Sequence, residues 1–478
     1  METIVLSWTD FVTVPFYFIV LVGLAIFFRD WRYGNNPIRE FFLPGLLLKI
    51  IGGIGVGVVY EFYYAGGDTF AYFKTLQGMH EVLWAEPSDA FRLLTVDFND
   101  KTDFTAIYDL KQKYSWNMPL WGYEDAYNVC RILFVFMPFT FNSYYALSIF
   151  VSLFSFVGVW GIFRVFVGYY PMLVRKIGIA TFYLPSVFFW GSGILKDSIT
   201  LGALGLIVYL CHKVFINHKL NPFSLVVLFV CGYILYVIKP YIIMAFLPFA
   251  TFWIGLENQN KVPNALVRSL VGPIMVISSV VGGYFALLQL SEGSSRYSID
   301  KVVGFAAAHR HDLLHNKDYY KNVDSGAGST FDIGEFEPTP LGVMSKFPIA
   351  TFTTFYRPLL FETTSPLIFL SAIENAYLLY LTVMILWSTG IIGFFRHIIQ
   401  KPLLIFSFFY SVSFAFSVGL ATSNFGALVR YKIPCIPFFF ATLFIVNYLE
   451  KKKRAENAEK NNAHIEYMRN LYSHSKPF

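Results

Sequence analysis

Apolar stretches of membrane-spanning length recur along this chain, and they constrain its fold more than any motif does. Eleven lie near residues 11–28, 42–64, 143–163, 177–195, 198–211, 222–238, 241–256, 269–290, 367–395, 403–421 and 431–449. A helix needs roughly 20 apolar residues to cross the hydrocarbon core, so 198–211, 222–238 and 241–256 are short candidates. Within lipid every backbone N–H and C=O must find a partner inside the protein, and a continuous apolar run meets that demand as a helix. The expected fold class is therefore all-α, a polytopic helical membrane protein. Only 14% of the 478 residues are charged, against about 25% in a soluble domain. That balance excludes a soluble enzyme, a disordered chain and a disulfide-stapled module. Cys130, Cys211, Cys231 and Cys435 form no metal-type pair and read as small buried hydrophobes. The opening Met1-Glu2-Thr3 lacks the basic start of a signal peptide, so the first apolar run reads as a retained anchor.

The net charge of +6 is read by side of the membrane and not as a sign of nucleic acid. With the N-terminus outside, the inward loops collect Arg29, Arg32 and Arg39; Arg164, Arg175 and Lys176; Lys213 and Lys219; Lys261 and Arg268; and Arg396 and Lys401. The tail from Lys451 onward adds more basic residues on the same side. Two long loops, 65–127 and 291–345, face outward, and both are net acidic. Residues 346–365 are interrupted by Pro348, Arg357, Pro358 and Glu362, so an interfacial or re-entrant segment is expected there. Residues 1–449 then form one transmembrane domain, followed by a basic cytoplasmic tail over 450–478.

Setting aside the inward loops, the tail and the two outer loops leaves eight cations. Lys49 lies close enough to an inward helix end to snorkel and reads as structural. Arg131, Lys196, Lys239, Lys346, Arg357, Arg430 and Lys432 all map to outward helix ends, where few cations are expected. As a set they suggest an anion site at headgroup level, suited to a phosphate or pyrophosphate on a lipid carrier. Singly, each is explained as well by an acidic neighbour or a lipid phosphate.

Four motifs carry the remaining chemistry. Tyr63-Tyr64-Ala65-Gly66-Gly67-Asp68-Thr69-Phe70-Ala71-Tyr72 turns out of the second span and leaves Asp68 on the rim, with Tyr72 one helical turn later. Asp68 is placed to act as a general base toward a hydroxyl, or to ligate a divalent metal, and equally to cap a helix over 69–84. Beyond it, helices near 69–84 and 103–114 with Trp84, Trp116 and Trp121 suit a membrane surface, either walling a lipid groove or forming a small cap. Glu124 and Asp125 are placed to partner Arg131. The Pro185-Ser-Val-Phe-Phe-Trp190-Gly-Ser-Gly-Ile-Leu-Lys196-Asp197-Ser198 hairpin offers an anion site at a helix start, with Asp197 or Ser198 as cap. Lys239-Pro240-Tyr241 repeats the theme. In Tyr356-Arg357-Pro358-Leu-Leu-Phe-Glu362, Arg357 suits bidentate phosphate contact, with Glu362 to orient it. The Leu428-Val-Arg430-Tyr-Lys432-Ile-Pro434 stretch adds two cations. Glu374 is an ionisable group inside a span, where such groups are functional or paired. His309, His311 and His315 read as solvated loop in preference to a metal site.

Through the Gly-Gly-Asp-Thr turn, the Pro185–Asp197 hairpin, the Tyr-Arg-Pro segment and the Leu-Val-Arg-Tyr-Lys-Ile-Pro end, the chain resembles a family of polytopic bacterial membrane proteins. More distantly it is similar to the C superfamily of integral-membrane glycosyltransferases (GT-C) and to O-antigen polymerases and ligases. The resemblance implies transfer of a sugar or glycan from a polyprenyl-(pyro)phosphate donor to a hydroxyl acceptor on the outer face of the bacterial inner membrane. It implies Asp68 as catalytic residue and Arg357 and Arg430 as donor-phosphate ligands, and their place at outward helix ends adds Lys196, Lys239 and Lys432 to the same phosphate site. Tyr72, Trp190, Tyr241 and Glu362 would line the substrate. Asp68 follows the second span where those glycosyltransferases have theirs after the first, and no Asp-x-Asp pair is present. A flippase of lipid-linked glycans and a non-catalytic scaffold of an envelope complex are the rival classes.

Overall fold

The computed structural model describes residues 6–259 and 331–474, apart from 99, 115–117, 335, 338 and 364. Within that range the chain is helical, with no β-strand. Seven helices are long and apolar enough to cross a membrane. They are α1 (Asp10–Tyr33), α2 (Arg39–Phe62), α8 (Tyr144–Tyr169), α10 (Lys196–Cys211, continued by a π-helical turn to Ile216), α12 (Pro240–Asn258), α15 (Pro366–Ile399) and α16 (Pro402–Ala421). A bent pair, α17 (Phe425–Tyr431) and α18 (Ile436–His474), meets at 67° and makes an eighth span if the two are counted as one. Pro434 accounts for the bend, since it has no N–H to donate and its ring collides with the carbonyl four residues back.

Two expected spans come out differently, and 269–290 lies outside the described residues. The stretch at 222–238 is α11 (Pro222–Ile238), an apolar helix of 17 residues. The stretch at 177–195 is not one helix. It runs through α9 (Val174–Gly178), a π-helical turn at Ile179–Tyr183, a break at Leu184–Pro185, a second π-helical turn at Ser186–Trp190, and a non-helical Gly191–Leu195. Mean hydropathy could not reveal this, because the proline and glycines that break the helix sit among strongly apolar neighbours.

Packing depends on small residues, since association inside lipid gains little from the hydrophobic effect. α8 is the central helix: 78% of its most apolar window is buried, against 11% for the peripheral α1. It meets α10 backbone to backbone, and a Cβ on Gly158 would stand 2.1 Å from the carbonyl oxygen of Gly202. α2 presses equally close to the second π turn, where a Cβ on Gly52 would stand 1.9 Å from Phe188 O. That approach buries Lys49, which does not snorkel. At 1% exposure its ammonium donates to Ser155 Oγ at 3.0 Å, Val187 O at 2.8 Å and Gly191 O at 2.7 Å. All three N–H bonds are used, and they fix the turn that carries Trp190.

Between α2 and α8 lie α3 (Asp68–Ala85), α4 (Pro87–Thr95), α5 (Lys101–Tyr114), α6 (Glu124–Phe134) and α7 (Met137–Thr140). They agree with the expected short helices of the first long loop, and pack as a small layer around Leu76, Met79, Val82, Leu93 and Tyr127. Asp89 of α4 holds α5 through Lys113 Nζ and Tyr114 Oη, each at 2.8 Å. Arg131 donates to Asn128 Oδ1 at 2.7 Å and to Val96 O, and lies over the rings of Phe98 and Tyr127.

α13 (Pro340–Ser345) and α14 (Phe347–Tyr356) occupy the expected interfacial or re-entrant segment. Ten residues of α14 rise only about 15 Å, half the hydrocarbon thickness. α14 lies against α16, with Thr354 Oγ1 donating to Ala415 O at 2.7 Å. The expected tail continues α18 without interruption, and its residues from Lys451 through Tyr467 are exposed.

Candidate functional site

The end of α2, the starts of α3 and α10, the α11–α12 junction and the end of α17 converge at one end of the bundle. Asp68 is the first residue of α3, and its carboxylate does not cap the helix. Gly67 occupies the cap position at φ +118°, and a Cβ there would also strike the Tyr60 ring at 2.7 Å. Freed from capping, Asp68 Oδ2 accepts from Arg430 Nη1 at 3.4 Å. The same nitrogen donates to Tyr60 Oη at 3.1 Å. Arg430 is carried there by α17, whose start is capped by Asn424 Oδ1 accepting from Gly426 and Ala427 N–H. Trp190 stands edge-on to Tyr60, with ring centroids 6.5 Å apart.

Asp197 does not cap α10 either. It is 4% exposed and accepts from Lys239 Nζ at 2.5 Å. Lys239 also lies over the Tyr431 ring, 4.8 Å from its centroid, and Tyr241 follows in the first turn of α12. Lys196, half-buried at the start of α10, is within electrostatic reach of Asp125, Lys239, Asp68 and Asp197. Unlike those of its two cationic neighbours, its side-chain nitrogen makes no hydrogen bond or close ion pair among the described residues. The start of α10 has no side-chain cap, and Ser198 Oγ in its first turn is buried without a hydrogen-bond partner. Uncapped helix N–H groups beside an ammonium without a close partner make a locally positive position.

The structure thus brings together Asp68, Tyr72, Trp190, Lys196, Lys239, Tyr241 and Arg430. Tyr72 and Trp190 are only 5% and 7% exposed, so in this arrangement neither ring offers an open face for stacking on a sugar. Burial pushes the Tyr72 phenol well above its ordinary pKa. With Arg430 paired to Asp68 and Lys196 within electrostatic reach of it, the position does not suit a divalent metal. Among the described residues no group of three His, Cys, Asp or Glu could hold one. His309, His311 and His315 lie outside the described residues.

Arg357, Glu362 and Lys432 form a second group. Arg357 Nε donates to both oxygens of Glu362, at 2.9 and 3.1 Å, and the guanidinium lies against the rings of Phe331 and Phe425. Burial alone would raise the Glu362 carboxyl, but hydrogen bonds from Arg357 and the Leu359 N–H outweigh it and hold it below its ordinary value. Lys432 is fully buried and donates to Asn375 Oδ1, and Asn375 Nδ2 in turn donates to Pro358 O at 3.2 Å. Beside it, Glu374 accepts from Ser186 N and Oγ. Arg357 meets Phe425, the first residue of α17, while Arg430 is its sixth residue and Lys432 its C-terminal cap, so the second group touches both ends of this short helix.

Sequence reasoning did not single out Tyr60, eight residues before Asp68 in an apolar span, and it gave Asp197 a capping role or a pairing with its neighbour Lys196, where the structure pairs it with Lys239. The signal for Asp197 was present: an acid opens one hairpin and a lysine closes the next at matching depth. The four cysteines are buried and free.

The fold and its buried charges define a class, a multi-pass helical membrane protein with a polar cluster at one end of its bundle. No family model, curated protein or solved structure matches the chain.

Proposed function

We propose that the cluster is the phosphate end of a glycosyl-transfer site, in an all-helical enzyme of GT-C-like character in the bacterial inner membrane with this end outward. The observation that carries the reading is Lys196: a half-buried cation with no close partner at an uncapped helix start, flanked by two cation–carboxylate pairs. A lipid-linked (pyro)phosphate sugar brings the anion that this position lacks. The acceptor hydroxyl attacks the anomeric carbon, the bond from that carbon to the phosphate oxygen breaks, and the hydroxyl proton passes to Asp68. Lys196 and Arg430 stabilise the charge that collects on the departing phosphate, where fixed donors contribute most. Lys239 holds Asp197, and Arg357 with Glu362 braces the far end of α17. One transfer per acceptor and repeated transfer, as in a polymerase, use the same residues.

A flippase of lipid-linked glycans is the second reading. It draws support from the two interrupted segments, 174–195 and 425–436, since discontinuous helices commonly bind ions and substrates in transporters. Glycan profiling with mass spectrometry of polyprenyl-linked intermediates separates the two. Cells carrying Asp68→Asn or Lys196→Ala at normal membrane abundance should lose product and accumulate donor on the outer leaflet. Accumulation on the inner leaflet would favour the flippase, and wild-type profiles would remove both readings.

A further inference from the structure

The cluster contains two carboxylates held in different ways. Asp197 is buried, and its pair with Lys239 closes at 2.5 Å. Asp68 has a side chain 62% exposed and meets Arg430 at 3.4 Å. It follows Gly66 and Gly67, at φ +145° and +118°, so the backbone leading to it can pivot at low cost. Arg430 has only 18% of its side chain exposed and is steadied by the Tyr60 hydroxyl. One pair is thus locked, while in the other the cation is fixed and the anion is loosely held.

We infer that Asp68 is the exchangeable counter-ion of Arg430: an incoming phosphate takes the guanidinium, and the carboxylate is released to its catalytic position. A phosphate group presents several anionic oxygens to a guanidinium and can bond it bidentately, whereas Asp68 offers one oxygen at the long end of hydrogen-bonding range. Lys196, one helix start away, supplies the second cation for the same anion. While Asp68 stays on Arg430 one of its oxygens is turned to the guanidinium, and the carboxylate moves to its catalytic position only once the phosphate is seated. The coupling orders the reaction so that donor binding arms the group that activates the acceptor. The role of Asp68 as base rests on the transfer reading above, but the exchange itself is a property of anion binding and can be measured without any sugar.

The test is a double-mutant cycle on the full-length protein in nanodiscs of zwitterionic lipid, with inorganic pyrophosphate titrated calorimetrically into wild type, Asp68→Asn, Arg430→Gln and the double variant. Asp68→Asn should bind pyrophosphate about two- to fivefold more tightly than wild type, the factor expected for removing a weak competing ion pair. In the Arg430→Gln background the same substitution should leave the affinity unchanged. Arg430→Met replaces Gln if the latter is not recovered as a monodisperse protein. Unchanged or weaker binding by Asp68→Asn overturns the exchange. So does a gain that persists without Arg430, because it would report only the loss of one negative charge, and so does failure of both wild type and Asp68→Asn to bind. Adding polyprenyl phosphate to the discs identifies the source. Competition with pyrophosphate assigns the position to a lipid-borne phosphate, and coupling without competition assigns it to a soluble one. If the cycle shows coupling while Asp68→Asn cells keep a normal glycan profile, the exchange stands and the transferase reading falls.

Discussion

Glu374 accepts both hydrogen bonds that Ser186 can donate, from the backbone N–H at 2.8 Å and from the hydroxyl at 2.6 Å. The carboxylate belongs to α15 and the serine opens the second π turn, so one buried side chain ties a long helix to the break in the 174–195 segment. Its neighbour Asn375 ties the same helix to Lys432 at the α17–α18 bend. Removing Glu374 leaves Ser186 and the nearby Lys432 ammonium without compensation. Glu374→Ala should cost about 3–5 kcal/mol, the range for breaking one side of a buried charged network. Thermal unfolding in detergent should show a large fall in midpoint, with a smaller one for Glu374→Gln, which still accepts from Ser186.

Lys196 should separate function from stability. Its ammonium makes no hydrogen bond among the described residues, so Lys196→Ala should change unfolding free energy by no more than about 0.5 kcal/mol. Loss of a fixed cation at the departing phosphate should lower transfer roughly 100-fold. Lys239→Ala should lower both, because it strands Asp197 in the core. Parallel measurement of thermal midpoint and product yield checks the contrast.

The α8–α10 contact should tolerate no added atom. Gly158→Ala places a methyl group 2.1 Å from Gly202 O and should cost about 1–3 kcal/mol through forced separation of the helices. Gly168→Ala, in the same helix, meets nothing within 4 Å and should be neutral or slightly stabilising. Comparing the yield of monodisperse protein and the midpoints of the two variants tests this directly.

The packing of α5 on α4 should depend on acid. Hydrogen bonds from Lys113 and Tyr114 hold the Asp89 carboxyl below its ordinary value, and the bond to Asp89 raises the Lys113 ammonium. A depressed carboxyl contributes stability that is complete above its unfolded value, about 3.9, and is lost as pH falls through the folded value. A raised lysine contributes below about 10.4 and loses its contribution as pH climbs past the folded value. Hydrogen-exchange protection factors over 101–114, taken relative to the intrinsic rate at each pH, should therefore be high at neutral pH and fall below about pH 4. In Asp89→Asn that acid step should disappear.

The sequence showed which residues share a membrane depth. Position along an apolar run sets height in the bilayer, so Asp68, Lys196, Lys239 and Arg430 could be assigned to one end of the bundle before any contact was known. It did not show azimuth. Pairing Lys239 with Asp197, or Arg430 with Asp68, depends on which helices are neighbours and how each is rotated, and nothing local encodes that. Lys49 shows the same limit. Its height suggested snorkelling, but the glycines one turn later draw α2 so close to Phe188 that the ammonium meets backbone carbonyls before it can reach water. The 177–195 break was foreshadowed by Pro185, Gly191 and Gly193, yet hydropathy counts those residues without registering how they steer the chain.

The unbroken continuation of α18 has a mechanical consequence. Glu450 accepts from His397 at 3.0 Å, and Arg454 donates to Ser388 O, so the helix is pinned to α15 just where it leaves the apolar region. Beyond that fulcrum the helix runs on to His474, about 30 Å further at 1.5 Å per residue. A tilt of a few degrees between α15 and α18 would sweep its tip through several ångströms. The rod is therefore a lever arm, on which a label would report small motions of the bend beside Arg430 as large displacements.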